Sequence, residues 1–92
     1  MNVVYLLTRV LRRDSSIWDI MAHTAGSHEV TVVVVGQGVL NYSAPGLGRV
    51  SSAGAKVYAL DDGSIQPPLD AARIPVSELP GVVRRSHRLI SF

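Results

Sequence analysis

The chain has 92 residues, of which 47% are hydrophobic and 17% charged, with a formal net charge of +2 and no cysteine. A chain of this length is predicted to form one domain, residues 1–92, without a separate substrate-binding or regulatory unit. The missing cysteine excludes disulfides, thiolate metal sites and a nucleophilic or persulfide-carrying thiol from these residues.

The first two predicted elements are a strand and a helix. The β-branched and aromatic run NVVYLL at Asn2–Leu7 favours a buried strand. Residues 15–25 are predicted to form a helix, with Ser16 and Asp19 at capping-box spacing and Gly26 as its end. Its predicted core face has the spacing i, i+3, i+4 and i+7 and consists of Ile17, Ile20, Met21 and Thr24.

Residues 29–35 carry the strongest strand signal of the chain. Four consecutive valines give no polar face, which indicates burial on both sides, as in a parallel sheet covered by helices. Residues 56–60, KVYAL, repeat this pattern. Residues 73–76 form a third candidate strand, in which Pro75 favours an edge position or a strand end.

Residues 41–54 are rich in Gly, Ser, Ala and Pro and are a poor helix former. We predict a short helical turn at residues 39–42 followed by a mobile loop. Near the C-terminal end, Ser77 is predicted to cap a helix of about ten residues that admits Pro80 in its first turn and directs Leu79, Val82 and Val83 to the core. Residues 88–92 are predicted to add a last short strand.

This order of elements predicts an α/β fold, a three-layer sandwich around a mostly parallel sheet of four or five strands. The compact apolar run at residues 32–35 is far shorter than the ~20 residues that a membrane helix needs. Residues 1–9 lack the basic segment of a signal peptide. We therefore expect a soluble, cytoplasmic protein without membrane contact.

Gly36, Gln37 and Gly38 directly follow the valine strand, where open α/β sheets place their ligand loops. Glycines there allow backbone amides to approach an anion. Asn41 stands where a dinucleotide-binding fingerprint has its third glycine. These three residues are a candidate ligand or partner loop, and a plain strand-to-helix turn is the alternative.

A candidate basic patch consists of Arg84, Arg85 and Arg88, with His87 among them, and a second cluster contains Arg9, Arg12 and Arg13. Contact with RNA phosphates or with an acidic subunit is one interpretation. Cations at the end of a helix are also stabilised by its dipole alone. Neither the histidine spacing nor the serine motifs indicate a metal site or a hydrolase, so no metal, cofactor or catalytic residue is predicted.

Several segments together resemble a known family: LLTR at residues 6–9, GQGV at 36–39, KVYALDD at 56–62, and a Ser-capped last helix with a short aromatic-ended tail. With them the chain resembles the DsrH/TusB family of the DsrE/DsrF-like superfamily of small sulfur-relay proteins. KVYALDD is the most specific segment, and GQGV is similar to the family's QDGV. Residues 41–54 match no part of the family pattern.

This resemblance implies a flavodoxin-like subunit that assembles with DsrE/TusD-like and DsrF/TusC-like subunits and supports persulfide transfer, towards 2-thiouridine in tRNA or within sulfur oxidation. The active cysteine of the superfamily belongs chiefly to the DsrE/TusD-like subunit. Where some DsrH members carry a cysteine in the first helix, this chain reads WDIM at residues 18–21. The expected role is that of a non-catalytic subunit.

We expect four apolar or aromatic residues to contact partner subunits: Trp18, Val39, Tyr42 and Tyr58. The alternatives are a small nucleotide- or RNA-binding module, with tRNA as one possible contact, and a homo-oligomeric structural protein.

Overall fold

A computed structural model describes residues 1–61, 63, 65–68 and 71–92. In this part of the chain the strands are β1 (Asn2–Leu7), β2 (Glu29–Val34), β3 (Lys56–Asp61), β4 (Arg73–Pro75) and β5 (Arg88–Ser91). The helices are α1 (Ser16–Ser27), α2 (Pro45–Ser52) and α3 (Leu79–Arg85), with 3₁₀ segments at Gly36–Ser43 and Val76–Glu78. The five strands form one sheet in the order β4-β3-β2-β1-β5, and every neighbouring pair is parallel.

Helices cover both faces of the sheet. On one face, Trp18 of α1 and Val50 of α2 pack with Tyr5 and Val32 of the central strands. On the other face, residues of α3 pack against a smaller cluster formed by Val33, Leu60 and Ile74. Because β1 and β2 are covered on both sides, their sequences are almost continuously apolar, as expected for a buried parallel sheet. The predicted three-layer α/β sandwich is confirmed.

Helix α1 forms where the sequence predicts it, but its ends differ. Ser15 is the N-cap, because its side chain accepts a hydrogen bond of 3.2 Å from the backbone N–H of Ile17. The predicted stop at Gly26 is wrong, since the helix continues to Ser27. A Cβ added at Gly26 would meet no atom within 4 Å, and no positive φ is found at this residue.

The core face of α1 is also rotated from the predicted one. Trp18 and Met21 are fully buried, whereas Ile20 is 52% exposed. The predicted face left out Trp18, which is the largest apolar side chain of the helix. Burial of the indole sets the rotation of α1, because it removes more apolar area from water than an isoleucine does.

The predicted mobile loop after residue 42 is wrong, because these residues form helix α2. Pro45 stands in the first turn, where its missing N–H costs no hydrogen bond, and Leu47 and Val50 are buried one turn apart. Gly46 packs directly on Trp18, and a Cβ at this position would overlap the indole ring. The glycine that weakens the helix signal is therefore required for close packing.

The last part of the chain follows the prediction more closely. β4 is an edge strand that ends at Pro75, and β5 is the opposite edge strand, paired with β1. α3 is shorter than predicted, with seven residues, and Ser77 is not its cap, since it lies in the preceding 3₁₀ turn. Asp62, the last residue of KVYALDD, lies outside the described residues.

Candidate functional site

The carboxyl ends of β1 and β2 lie at one edge of the sheet and lead into residues 8–15 and into the 3₁₀ segment Gly36–Ser43. We call these two segments the carboxyl-edge loops. β2 lies on one side of β1 and β5 lies on the other. The later strands are thus added on both sides of β1, which makes β1 the topological switch point of the sheet. Ligands of open α/β sheets bind outside the carboxyl ends at such a point. The carboxyl-edge loops are therefore the candidate site.

The backbone structure explains why both positions of the predicted ligand loop, 36 and 38, are glycine. Gly36 has a φ of +56°, in the left-handed region that favours glycine. A Cβ on Gly38 would collide with the carbonyl oxygen of Leu7, and the N–H of Gly38 donates to Val35 O at 2.9 Å. Gln37 between them is exposed. The geometry forms a tight turn, and contact of Gln37 with a ligand or partner stays a prediction.

Asn41 connects the two carboxyl-edge loops. Its side chain is fully buried, donates from Nδ2 to Arg9 O at 2.9 Å and to Gly38 O at 3.0 Å, and accepts at Oδ1 from Leu11 N at 2.9 Å. All of its bonds go to backbone groups, so it sets the path of the chain after β1. Sequence reasoning missed this role. The available signal was that Asn41 is one of two amide side chains, with Gln37, within the uncharged stretch of residues 30–48.

We expect Asn41→Leu to lower the free energy of unfolding by about 3 kcal/mol, because a similar volume remains while two buried backbone groups and one partly buried one lose their partner. Urea unfolding followed by circular dichroism measures this change. Gln37→Leu, at an exposed position of the same segment, is the control and should shift the stability by less than about 0.5 kcal/mol. Equal stabilities of the two variants would contradict a bracing role for Asn41.

The two arginine clusters lie at opposite edges of the sheet. Arg9, Arg12 and Arg13 follow the carboxyl end of β1, whereas Arg84, Arg85 and Arg88 stand at the amino end of the neighbouring parallel strand β5. All six side chains are exposed. Arg12 forms a 3.2 Å ion pair with Asp14, which contributes little to stability at such exposure. The clusters therefore do not form one continuous phosphate-binding surface.

A cavity of about 470 Å³ lies at the opposite, amino edge of the sheet, below α3. Lys56, Arg73 and Arg85 line it together with Glu29 and Tyr58. Its volume is in the range of small-molecule sites. The structure thus places Arg85 of the predicted basic patch beside the predicted interface residue Tyr58, while Arg84 and Arg88 do not line this cavity.

The expected interface residues separate into two groups. Trp18 is fully buried and Val39 is 3% exposed, so both belong to the core of this chain and their expected contact with a partner is corrected. Tyr42 and Tyr58 are half-buried. They pack on opposite faces of the sheet, Tyr42 with the larger apolar cluster and Tyr58 with the smaller one.

Within the described residues, no group of three or more His, Cys, Asp or Glu side chains is placed to hold a metal ion. His87 has a structural contact, since its Nδ1 accepts from Asn2 N at 2.9 Å. In the same part of the chain, no helix combines the length and the apolar character that crossing a bilayer requires.

No protein-family model and no curated protein matches this sequence. Among solved structures, the YchN protein from E. coli is similar, with a TM-score of 0.65, 12% sequence identity, and coverage of 100% of this chain and 100% of that chain. At this identity the similarity concerns the fold. The α/β sandwich described above is thus shared with YchN along the whole of both chains.

Proposed function

We propose that this chain is a non-catalytic subunit of a sulfur-relay assembly of the DsrE/DsrF type. The observation that carries the proposal is the fold, which agrees with YchN, a protein of the DsrE/DsrF-like fold family, over the full length of both chains. The segments GQGV and KVYALDD, which resemble DsrH/TusB, support the same assignment.

The absence of cysteine determines the kind of role within such an assembly. A relay passes sulfur as a persulfide on a cysteine, and these 92 residues contain none. The buried polar side chain at the carboxyl edge, Asn41, does not titrate, and its contacts are with backbone groups. A cysteine of another subunit therefore carries the sulfur, and this chain contributes surface and positioning.

The carboxyl-edge loops supply the surface that we assign to the cysteine-bearing subunit. Val10 is 50% and Leu40 is 47% exposed. The bonds of Asn41 to Arg9 and Leu11 hold the two loops side by side, so both apolar residues lie at the same edge. Arg9, Arg12 and Arg13 are close to Val10 in the sequence and are exposed. An apolar centre with a cationic rim fits a partner whose rim is acidic.

Affinity purification of the tagged chain from its native host tests the proposal. We expect a small α/β chain with a cysteine, of the DsrE/TusD-like kind, to co-purify in stoichiometric amount, together with a DsrF/TusC-like chain. Val10→Glu should remove most of this capture, since it places a carboxylate in the apolar centre of the contact, while Val76→Glu, at a residue 51% exposed and outside the carboxyl-edge loops, should not.

Recovery of no cysteine-bearing chain would overturn the proposal. Salt-sensitive recovery of RNA or nucleotides in its place would favour the binding-module alternative. The same preparation addresses the finer proposal that the relay serves tRNA thiolation in the cytoplasm: mass spectrometry of nucleosides should detect 2-thiouridine in co-purified tRNA, and enzymes of sulfur oxidation in its place would contradict that branch.

A further inference from the structure

The outer edge of β5 presents unpaired backbone groups in a defined pattern. Phe92 N donates to Leu6 O at 2.8 Å, and Thr8 N donates to Phe92 O at 2.9 Å, so both backbone groups of Phe92 face β1. The register of β1 and β5 is constant from Val3↔Arg88 to Leu6↔Ser91. Backbone groups alternate in direction along a strand. The N–H and C=O groups of Leu89 and Ser91 therefore point away from the sheet.

The two outer strands of the sheet, β4 and β5, differ in how readily a further strand can pair with them. β4 has three residues and ends at Pro75, which cannot donate a hydrogen bond. β5 has four residues without proline, and Leu89 on it is 43% exposed. Among the described residues, no backbone bond reaches the outward groups of Leu89 and Ser91. The β5 edge is thus the one that is open to strand addition.

We propose that β5 pairs antiparallel with β5 of a second copy of this chain, about a two-fold axis at Ile90. This register sets Leu89 of each copy opposite Ser91 of the other, so that all four outward residues exchange hydrogen bonds. A shift of the axis to Leu89 or to Ser91 would pair one outward residue with itself. With the axis at Leu89, for example, Ser91 would lie opposite His87 of the second copy. The N–H of His87 already donates to Asn2 O at 2.8 Å and is not free to pair.

The side chains agree with this register. Ile90 and Phe92 pack towards the larger apolar cluster, and Phe92 stacks on Tyr5 with ring centroids 6.0 Å apart. With the axis at Ile90, the two Ile90 side chains meet as a non-hydrogen-bonded pair, which brings Cβ atoms closest. Arg88 then lies opposite Phe92 of the second copy, a cation over an aromatic ring, and no two arginines face each other. The paired sheets would form one sheet of ten strands, since each copy contributes five.

Because the chain has no cysteine, single introduced cysteines report this pairing without background. In the proposed register two cysteines at position 90 face each other at about 4.5 Å between Cα atoms, within the range for a disulfide. Two cysteines at position 89 are diagonal neighbours at about 7–8 Å. We expect Ile90→Cys to form oxidised dimers at least about tenfold faster than Leu89→Cys at equal protein concentration.

Accessibility alone predicts the reverse order, because Leu89 is exposed and Ile90 is half-buried. Faster oxidation of Leu89→Cys, or equal rates, would therefore overturn the proposal. Sedimentation of the unmodified chain gives an independent test: its average mass should rise towards the dimer with concentration. Ser91→Pro should remain monomeric and folded, because it removes an outward N–H and leaves the bonds to β1 intact. An unmodified chain that stays monomeric, or a Ser91→Pro variant that still associates, would contradict the pairing.

This pairing goes beyond the proposed function, since it joins two copies of this chain through the outer strand β5. The carboxyl-edge loops, which we assign to the cysteine-bearing subunit, take no part in it. Its test needs only purified chain, whereas the test of the relay role needs the native host. A failure of the β5 pairing can therefore be told apart from a failure of the relay proposal.

Discussion

Replacement of Trp18 by alanine is expected to lower the free energy of unfolding by about 4 kcal/mol. The side chain is fully buried against α2 and the sheet, and its Nε1 donates to the carbonyl oxygen of Arg12 at 2.9 Å. Alanine would leave a large cavity, remove this hydrogen bond, and take away the surface on which Gly46 packs. Helix α2 should therefore lose order together with the loop before α1.

Urea unfolding followed by circular dichroism is the appropriate measurement, because Trp18 is the one tryptophan of the chain and its fluorescence disappears in the variant. Ile20→Ala in the same helix is the matched control. Ile20 is 52% exposed, so its removal should change the stability by about 0.5 kcal/mol or less. If Trp18→Ala kept full stability and lost partner capture, Trp18 would be an interface residue and its core position would be wrong.

The strands and the layers of this fold could be predicted because their signals are local. Four valines in a row indicate a strand buried on both faces, and β2 forms where they stand. Pro75 indicated an edge strand, and β4 occupies an edge. In both cases the physical cause acts within a few residues, through burial of both faces or through a missing N–H.

Features that depend on contacts between distant residues could not be predicted. Helix α2 contains two glycines at positions 46 and 48, which argue against a helix until Trp18 is known to lie against the first of them. The bonds of Asn41 reach residues 30 and 32 positions away. The separation of the two arginine clusters follows from the parallel pairing of β1 with β5, a contact between the two ends of the chain that no local pattern shows. The glycines therefore indicated the turn at residues 36–38, while no local pattern indicated that Asn41 holds this turn beside residues 9–11.

Gly38→Ala is expected to destabilise the fold by about 3 kcal/mol or more. The added Cβ would collide with the carbonyl oxygen of Leu7, a backbone atom that already accepts from Val35 N at 2.9 Å. Gly38 is itself held by the bond from its N–H to Val35 O and by the bond from Asn41 to its carbonyl. Neither the backbone at Leu7 nor the backbone at Gly38 can move away without breaking a hydrogen bond, so relieving the collision would itself lower the stability.

Two other glycines serve as controls in the same unfolding experiment. Gly36→Ala meets no atom within 4 Å but has a φ of +56°, and should cost about 1 kcal/mol for the left-handed backbone alone. Gly48→Ala lies in α2 with open space around it and should stabilise the protein by about 0.5–1 kcal/mol. The expected order separates the effects of steric collision, backbone conformation and helix propensity at three positions of the chain.

A mild effect of Gly38→Ala would have a functional meaning. It would show that the turn at residues 36–38 moves away from β1 at little cost, which a fixed strand-to-helix turn does not allow. A loop with that freedom would fit the ligand-loop interpretation, in which backbone amides approach an anion at the carboxyl edge. A severe effect would assign Gly38 to packing and leave Gln37 as the exposed residue of this turn that a partner can reach.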